Sequence, residues 1–123
     1  MNMETQTKAK PGAIFHFSCK VHGRSDGANA VKLAAYRAGS RLRSELTSRI
    51  HNYTRKKEVL WSEILAPRHA PAWAKDRSTL WNAVDRVEHR CDAQLAREVE
   101  VALPIVLSPT DHYDLLRQWA EET

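Results

Sequence analysis

The sequence has few cysteines and glycines and no long apolar run. Its two cysteines, Cys19 and Cys91, lack the paired spacing of a metal site, and we expect free thiols in a cytoplasmic chain. No apolar stretch approaches the about 18 residues that a membrane span needs, and the N-terminal MNMETQTKAKPG has no apolar core of a secretory signal. No glycine-rich phosphate loop occurs. These absences argue against a membrane span, a secreted disulfide scaffold and an NTPase.

Metal ligands are also sparse. No two of the six histidines are spaced H-x-H or H-x-x-x-H, and the pair His89 and Cys91 has no matching second half. Spacing alone therefore predicts no metal site in this chain.

The charge is unevenly distributed along the 123 residues. The chain carries a net charge of +4, but residues 1–60 are strongly basic and residues 61–123 are acidic overall. A basic half suggests a polyanionic partner, with nucleic acid the default candidate. A solvated basic face without any partner is the alternative.

The pattern of apolar residues predicts an α+β domain. A flexible lead-in over 1–12 precedes an alternating strand over 13–21, and a helix over about 27–43 follows, with Ser25 or Asp26 as N-cap. Further elements are a candidate strand over 58–67, a helix over 72–90, an alternating strand over 95–104 and a helix from Ser108. Alternating strands favour an antiparallel or mixed sheet with helices packed on one face.

Tyr36 occupies an unusual place in the first predicted helix. On a helical wheel the small apolar residues Val31, Ala34, Ala35, Ala38 and Leu42 form one stripe, and Tyr36 lies on the far side, among polar and basic neighbours. A phenol held among cations could attack a phosphodiester, because cations stabilise the developing negative charge. An ordinary surface tyrosine is the alternative.

The polar faces of the two alternating strands form a second candidate site. If these strands lie side by side, His16, Ser18, Lys20, Glu98 and Glu100 share the sheet face opposite the core. Paired glutamates could orient other ligands or act as a base, whereas a solvated face is the simpler interpretation.

Residues 49–57, RIHNYTRKK, form a third candidate. Four cations accompany Tyr53, a composition that suits backbone tracking and base stacking along nucleic acid. A flexible basic loop is the alternative.

Taken in order, the segments AAYRAG, YTRK followed by ILAP, LWNAV and QLAREVEVALP resemble the N-terminal part of the MobA/MobL family of plasmid mobilisation relaxases, from about Ala13 onwards. The resemblance implies an HUH-type nicking enzyme in which a tyrosine, here Tyr36, joins the DNA 5′ end at an origin of transfer. It also places Glu98 and Glu100 near the active site. The cations expected to contact DNA, together with Tyr53, are Lys20, Arg24, Lys32, Arg37, Arg43, Arg49, Arg55, Lys56 and Lys57.

The family's divalent metal, Mg or Mn, is held by histidines on a strand after the helix that begins at Ser108. Residues 13–123 are therefore expected to be the N-terminal part of a relaxase domain, truncated before that strand and inactive alone. The expected partners are single-stranded origin DNA and accessory mobilisation proteins in the bacterial cytoplasm, with no membrane. A non-catalytic single-stranded DNA-binding module is the alternative, and a membrane or acidic-protein partner ranks last.

Overall fold

The computed structural model describes residues 17–103 and 107–122. The predicted lead-in over 1–12, the strand residues 13–16 with His16, and Pro104 lie outside the described residues. The elements are β1 (Phe17–Gly23), α1 (Ala30–Ala38), β2 (Arg41–Arg43), β3 (Ile50–Asn52), α2 (Arg77–Val87), β4 (Gln94–Val101) and α3 (Pro109–Glu122). Short 3-10 turns occupy Arg24–Asp26 and Ala72–Lys75. No helix within these described ranges has the length and apolar character needed to cross a bilayer.

Within the described residues, the β structure consists of two antiparallel strand pairs. β1 pairs with β4, with Ser18 opposite Glu100 and Lys20 opposite Glu98, and β2 pairs with β3 in a short hairpin. The predicted α+β class with antiparallel pairing is confirmed. The two alternating strands lie side by side, which is the condition on which the second candidate site depends.

Helix α1 is shorter than the predicted 27–43. It begins after Asn29, whose side chain accepts a hydrogen bond from the amide of Lys32 at 2.9 Å, while Ser25 and Asp26 lie in the preceding turn. It ends because Gly39 adopts a left-handed φ of 63°, which places Leu42 in β2.

The core lies between α1, α2 and the start of β4. Ala30, Val31 and Ala34 are almost fully buried against Leu80 and Trp81 of α2. Small side chains on α1 let the two helices approach closely, as the wheel predicts. Asp76 begins α2 by accepting a hydrogen bond from the amide of Thr79, so the predicted helix 72–90 divides into a turn and a helix.

The predicted strand over 58–67 is wrong. The segment is irregular: Ile64 and Ala66 pack against the core, while Leu60 is 64% exposed. An apolar run without a neighbouring strand to pair with can supply core side chains without forming a ladder.

The expected core face of β1 is also wrong within the described residues. Phe17, Cys19 and Val21 are exposed, although they alternate as the pattern requires. In α3, Leu116 is buried, whereas the adjacent Leu115 is 44% exposed.

Helix α3 contacts the irregular segment through a polar cluster and through the Tyr113 ring, which meets that of Trp61 with centroids 4.8 Å apart. Its first turn is closed by Ser108, which accepts from the Asp111 amide at 3.2 Å. The Tyr113 hydroxyl donates to Glu63 at 2.7 Å and accepts from Arg117 at 2.9 Å.

Candidate active site

A cavity of about 710 Å³ lies between the end of β1, the turn after it and the exposed face of α1. Its lining includes Lys20, His22, Lys32, Tyr36 and Tyr53. The two lysines give it positive character, and the two tyrosines give it aromatic surface. Its volume is typical of pockets that take small organic ligands.

Tyr36 is held by aromatic and cationic neighbours and remains 43% exposed. Its ring meets that of Tyr53 edge-on with centroids 5.2 Å apart. Lys56 Nζ lies 3.7 Å from the ring centroid of Tyr36 and donates to its backbone carbonyl at 2.9 Å. The Arg37 guanidinium lies 5.3 Å from the same centroid. The phenol therefore lies among cations, away from the apolar stripe of α1.

A carboxylate–histidine pair joins the strands to this helix. Glu98 Oε2 lies 2.7 Å from His22 Nε2, and its other oxygen forms an ion pair with Arg37. Both Glu98 and His22 are more than three-quarters buried at their side chains. Because Arg37 follows Tyr36 in sequence, Glu98 fixes α1 relative to β4 next to the phenol.

The N-terminus of α1 is anchored by a second buried carboxylate. Asp85 of α2, 1% exposed, accepts hydrogen bonds from the amides of Ala30 at 3.0 Å and Val31 at 3.3 Å. Arg24 completes the cluster: its Nη2 lies 3.1 Å from Asp85 and donates to the Glu88 carbonyl at 2.9 Å. Carboxylate at a helix N-terminus is stabilising because of the helix dipole. This cluster holds the helix that carries Tyr36.

His51 of β3 lies beside α1, and its buried Nε2 has no hydrogen-bond partner among the residues that the structure describes. Burial first, and then the positive charges of Lys32 and Arg49, lower the pKa of His51 below its usual value. The neutral imidazole is therefore favoured in the folded chain.

The predicted DNA-contacting cations occupy three different settings. Lys20 and Lys32 line the cavity, and Arg37 and Lys56 lie over the Tyr36 ring. The Arg24 guanidinium is instead engaged with Asp85 and backbone carbonyls. Exposed positions on and after the β2–β3 hairpin carry Arg43, Arg49, Arg55 and Lys57.

The structure brings residues of all three candidate sites together around Tyr36. The predicted polar strand face turns toward α1, so Lys20 and Glu98 lie by Tyr36, and Tyr53 of the third candidate packs on the same ring. Glu100 lies opposite Ser18, one pair further along the ladder.

Sequence reasoning missed His22 and Asp85. Alternation places His22 on the same strand face as Lys20, which was the available signal. Asp85 gives no comparable signal, because its two amide partners lie more than fifty positions away.

Among residues 17–103 and 107–122, no three histidine, cysteine, aspartate or glutamate side chains come together as an ion site. The described residues thus do not fit the divalent metal that the family resemblance implies, and we derive no chemical step through one.

Comparison with known proteins places the chain in a family. It is 39% identical over 119 residues to the conjugal transfer protein TraA of Rhizobium radiobacter, covering 89% of this chain and 11% of the relative. It is 45% identical over 96 residues to the mobilization protein MobL of Acidithiobacillus ferridurans, covering 78% and 25%. The chain therefore spans a quarter or less of these relatives' length.

A solved structure described as the molecular basis of vancomycin resistance transfer in Staphylococcus aureus has the same fold. The TM-score is 0.85 at 33% sequence identity, covering 90% of this chain and 57% of that one. Residues 28–123 match the profile of the MobA/MobL family. With this match, the relatives and the shared fold together, the chain belongs to the MobA/MobL family.

Proposed function

We propose that this chain carries the nucleophile of a relaxase, and that Tyr36 attacks one phosphodiester of single-stranded DNA at an origin of transfer. The observation that supports the proposal is the position of Tyr36, exposed at a cavity shared with Lys20 and Lys32 and overlain by Lys56 and Arg37. A free phenol has a pKa of about 10 and is a weak nucleophile at neutral pH. Surrounding cations favour its attack because they stabilise negative charge on the phenolic oxygen and on the phosphate.

The DNA strand runs through the cavity and along the basic hairpin. The cavity has room for about one unstacked nucleotide, with Lys20 and Lys32 available for the flanking phosphates. Beyond Tyr36, the Tyr53 ring and the exposed cations Arg55 and Lys57 extend this surface. Aromatic rings alternating with cations bind single strands by stacking and charge neutralisation.

The two glutamates have different roles in this proposal. Glu98 orients the site, since it connects β4 to His22 and to Arg37. Glu100 is one strand pair away and acts at the edge of the site. Accessory mobilisation proteins would bring the chain to origin DNA in the bacterial cytoplasm, and the full activity includes a divalent metal bound by ligands other than those described.

The test supplies this chain with Mn²⁺ and a second fragment that bears the family's histidines, and uses single-stranded oligonucleotides from the cognate origin with sulfur replacing the 3′-oxygen at the nick. Thiolate leaves without needing a proton, so a covalent protein–DNA adduct accumulates and is read on a denaturing gel. We expect the adduct with the unaltered chain and none with Tyr36→Phe, which keeps DNA affinity within about threefold because its ring and cations remain.

Tyr113→Phe is the matched control, because its hydroxyl lies in the α3 cluster rather than in the cavity. It should form the adduct normally. An adduct that persists in Tyr36→Phe would identify another nucleophile, with Tyr53 the first to test. Salt-sensitive binding without any adduct would instead establish a non-catalytic single-stranded DNA-binding module.

Binding itself should weaken steeply with salt. If about four cations contact phosphates, affinity falls about 50-fold between about 50 and about 200 mM salt, given a slope of about −0.7 per phosphate on single strands. A flat salt response, measured by fluorescence anisotropy, would exclude the phosphate contacts.

A further inference from the structure

His22 lines the cavity together with Tyr36, and the proposed attack does not yet use it. It lies near the end of β1, with its side chain 14% exposed and Nε2 2.7 Å from Glu98. The cavity thus brings a nucleophile and an imidazole to one space, with a carboxylate behind the imidazole. Activated nucleophiles combine the same three kinds of group, namely a nucleophile, a base and a group that orients the base.

The hydrogen-bond pattern determines which ring nitrogen of His22 is available. The Glu98 carboxylate accepts hydrogen bonds only, and its other oxygen is paired with Arg37. His22 Nε2 must therefore carry a proton that it donates to Glu98. In the neutral ring, Nδ1 then holds a lone pair and can accept a proton.

Resting on the proposed role of Tyr36, we propose that His22, oriented by Glu98, accepts the phenolic proton when Tyr36 attacks DNA. The proton passes from the Tyr36 hydroxyl to Nδ1 of His22, directly or through one water in the cavity. The bond between the tyrosyl oxygen and phosphorus forms as the bond between phosphorus and the 3′-oxygen breaks. The 3′-oxygen leaves and takes a proton from solvent.

Other groups near the cavity are poorer acceptors at neutral pH. Lysines are ammonium ions without a lone pair, and exposed carboxylates are weak bases. An imidazole has the strength that general-base catalysis needs near pH 7. The charged or titratable groups that face His22 are Glu98 from β4, Lys20 from β1, Asp26 from the turn, Lys32, Tyr36 and Arg37 from α1, and Tyr53 after β3.

The first test reads the protonation of His22 without requiring catalysis. Nitrogen NMR of the chain labelled at histidine should show, at about pH 8, a protonated Nε2 and an unprotonated Nδ1. The Nδ1 resonance should shift in Tyr36→Phe and stay unchanged in Tyr113→Phe. A proton that remains on Nδ1 at this pH would mean a fixed imidazolium–carboxylate ion pair, and the proposal would be wrong.

The second test is the pH dependence of adduct formation with the sulfur-substituted oligonucleotide. The unaltered chain should show a rate that rises with pH and then levels once the base is fully deprotonated. His22→Gln should be at least about 100-fold slower at neutral pH, with a rate that keeps rising with hydroxide concentration. A merely structural role would lower the amount of active protein without changing the shape of this profile.

His69→Gln is the matched control, because His69 is exposed in the loop between Pro67 and Ala70. It should keep the normal profile. An unchanged profile in His22→Gln refutes the proposal even where Tyr36 is the nucleophile. If the unaltered chain forms no adduct, the proposed function fails separately, and the response of Nδ1 to Tyr36→Phe alone decides whether His22 and Tyr36 share a proton.

Discussion

Replacing Asp85 by Asn should destabilise the fold more than any comparable change at an exposed acidic residue. Asp85 is 1% exposed, and its carboxylate accepts hydrogen bonds from the amides of Ala30 and Val31 while pairing with Arg24. Asparagine has nearly the same shape but keeps one acceptor oxygen only. One of the two amides then meets an NH₂ group, and Arg24 loses its counter-charge.

The magnitude follows from these contacts. Breaking a buried ion pair by removing one partner costs about 3 to 5 kcal/mol, and the hydrogen bond that Asn retains offsets about 1 kcal/mol of this. We therefore expect the free energy of unfolding to fall by about 3 kcal/mol, a large part of the about 5 to 15 kcal/mol that a typical domain has. The effect should concentrate at the start of α1.

Urea unfolding followed by circular dichroism measures the loss, and amide hydrogen exchange at Ala30 and Val31 locates it. Asp92→Asn is the control, because Asp92 pairs with Arg90 at 3.4 Å while both side chains are at least 70% exposed. It should change the free energy of unfolding by less than about 0.5 kcal/mol. An Asp85→Asn chain that is within about 1 kcal/mol of the unaltered one would refute the reasoning.

Three further changes test other parts of the fold. Because the pKa of His51 is lowered in the folded chain, the unfolded chain takes up a proton first as pH falls below about 6.5. The free energy of unfolding should therefore decline in that range and level again below the folded-state pKa. Urea midpoints measured against pH should show this decline, and His51→Gln should flatten it. Tyr113→Phe removes the hydroxyl that joins Glu63 to Arg117, so amide exchange over 109–122 should accelerate by about fivefold. Unchanged exchange would show that these hydrogen bonds do not stabilise α3. Gly39→Ala forces a Cβ into a left-handed position and should lower the free energy of unfolding by about 1 to 2 kcal/mol; calorimetry with no loss would mean that the helix end relaxes.

Sequence periodicity predicted the features of the fold that depend only on residues within one helix or one strand. The apolar stripe of α1 is set by residues three and four apart, and Val31, Ala34, Ala35 and Ala38 are buried as expected. Alternation likewise predicted the two long strands, β1 and β4, which the structure pairs with each other. Both are local patterns with strong physical constraints.

The same patterns could not predict whether a neighbouring element buries the apolar face of a strand. Alternation groups Phe17 with Val21 correctly, but within the described residues nothing buries them, and both are exposed. The strand predicted for the apolar run with Leu60 and Ile64 is wrong for a related reason. A strand needs a second strand to pair with, and the local sequence does not show whether one is present. Propensity and pattern describe a segment, whereas burial and pairing depend on its neighbours.

Charge alone could not predict which contacts each cation makes at the candidate site. Arg24 and Arg37 look alike in the sequence, as cations in a basic half. In the structure, Arg24 forms an ion pair with Asp85 near the N-terminus of α1. Arg37 instead pairs with Glu98 and lies over the Tyr36 ring. The distinction arises from contacts more than sixty positions apart along the chain, which a local pattern does not contain.

Helix α1 separates stability from the proposed chemistry by its two faces. Val31 is fully buried against α2, whereas the adjacent Lys32 is exposed and lines the cavity. Because neighbouring residues of a helix point about 100° apart, one residue can support the core while the next faces the cavity. Truncating Val31 should leave a hole in the core and cost stability. If the proposed function is right, Lys32→Gln should weaken phosphate binding and leave the core intact. The short, alanine-rich helix thus holds Tyr36 rigidly by one face and presents it by the other.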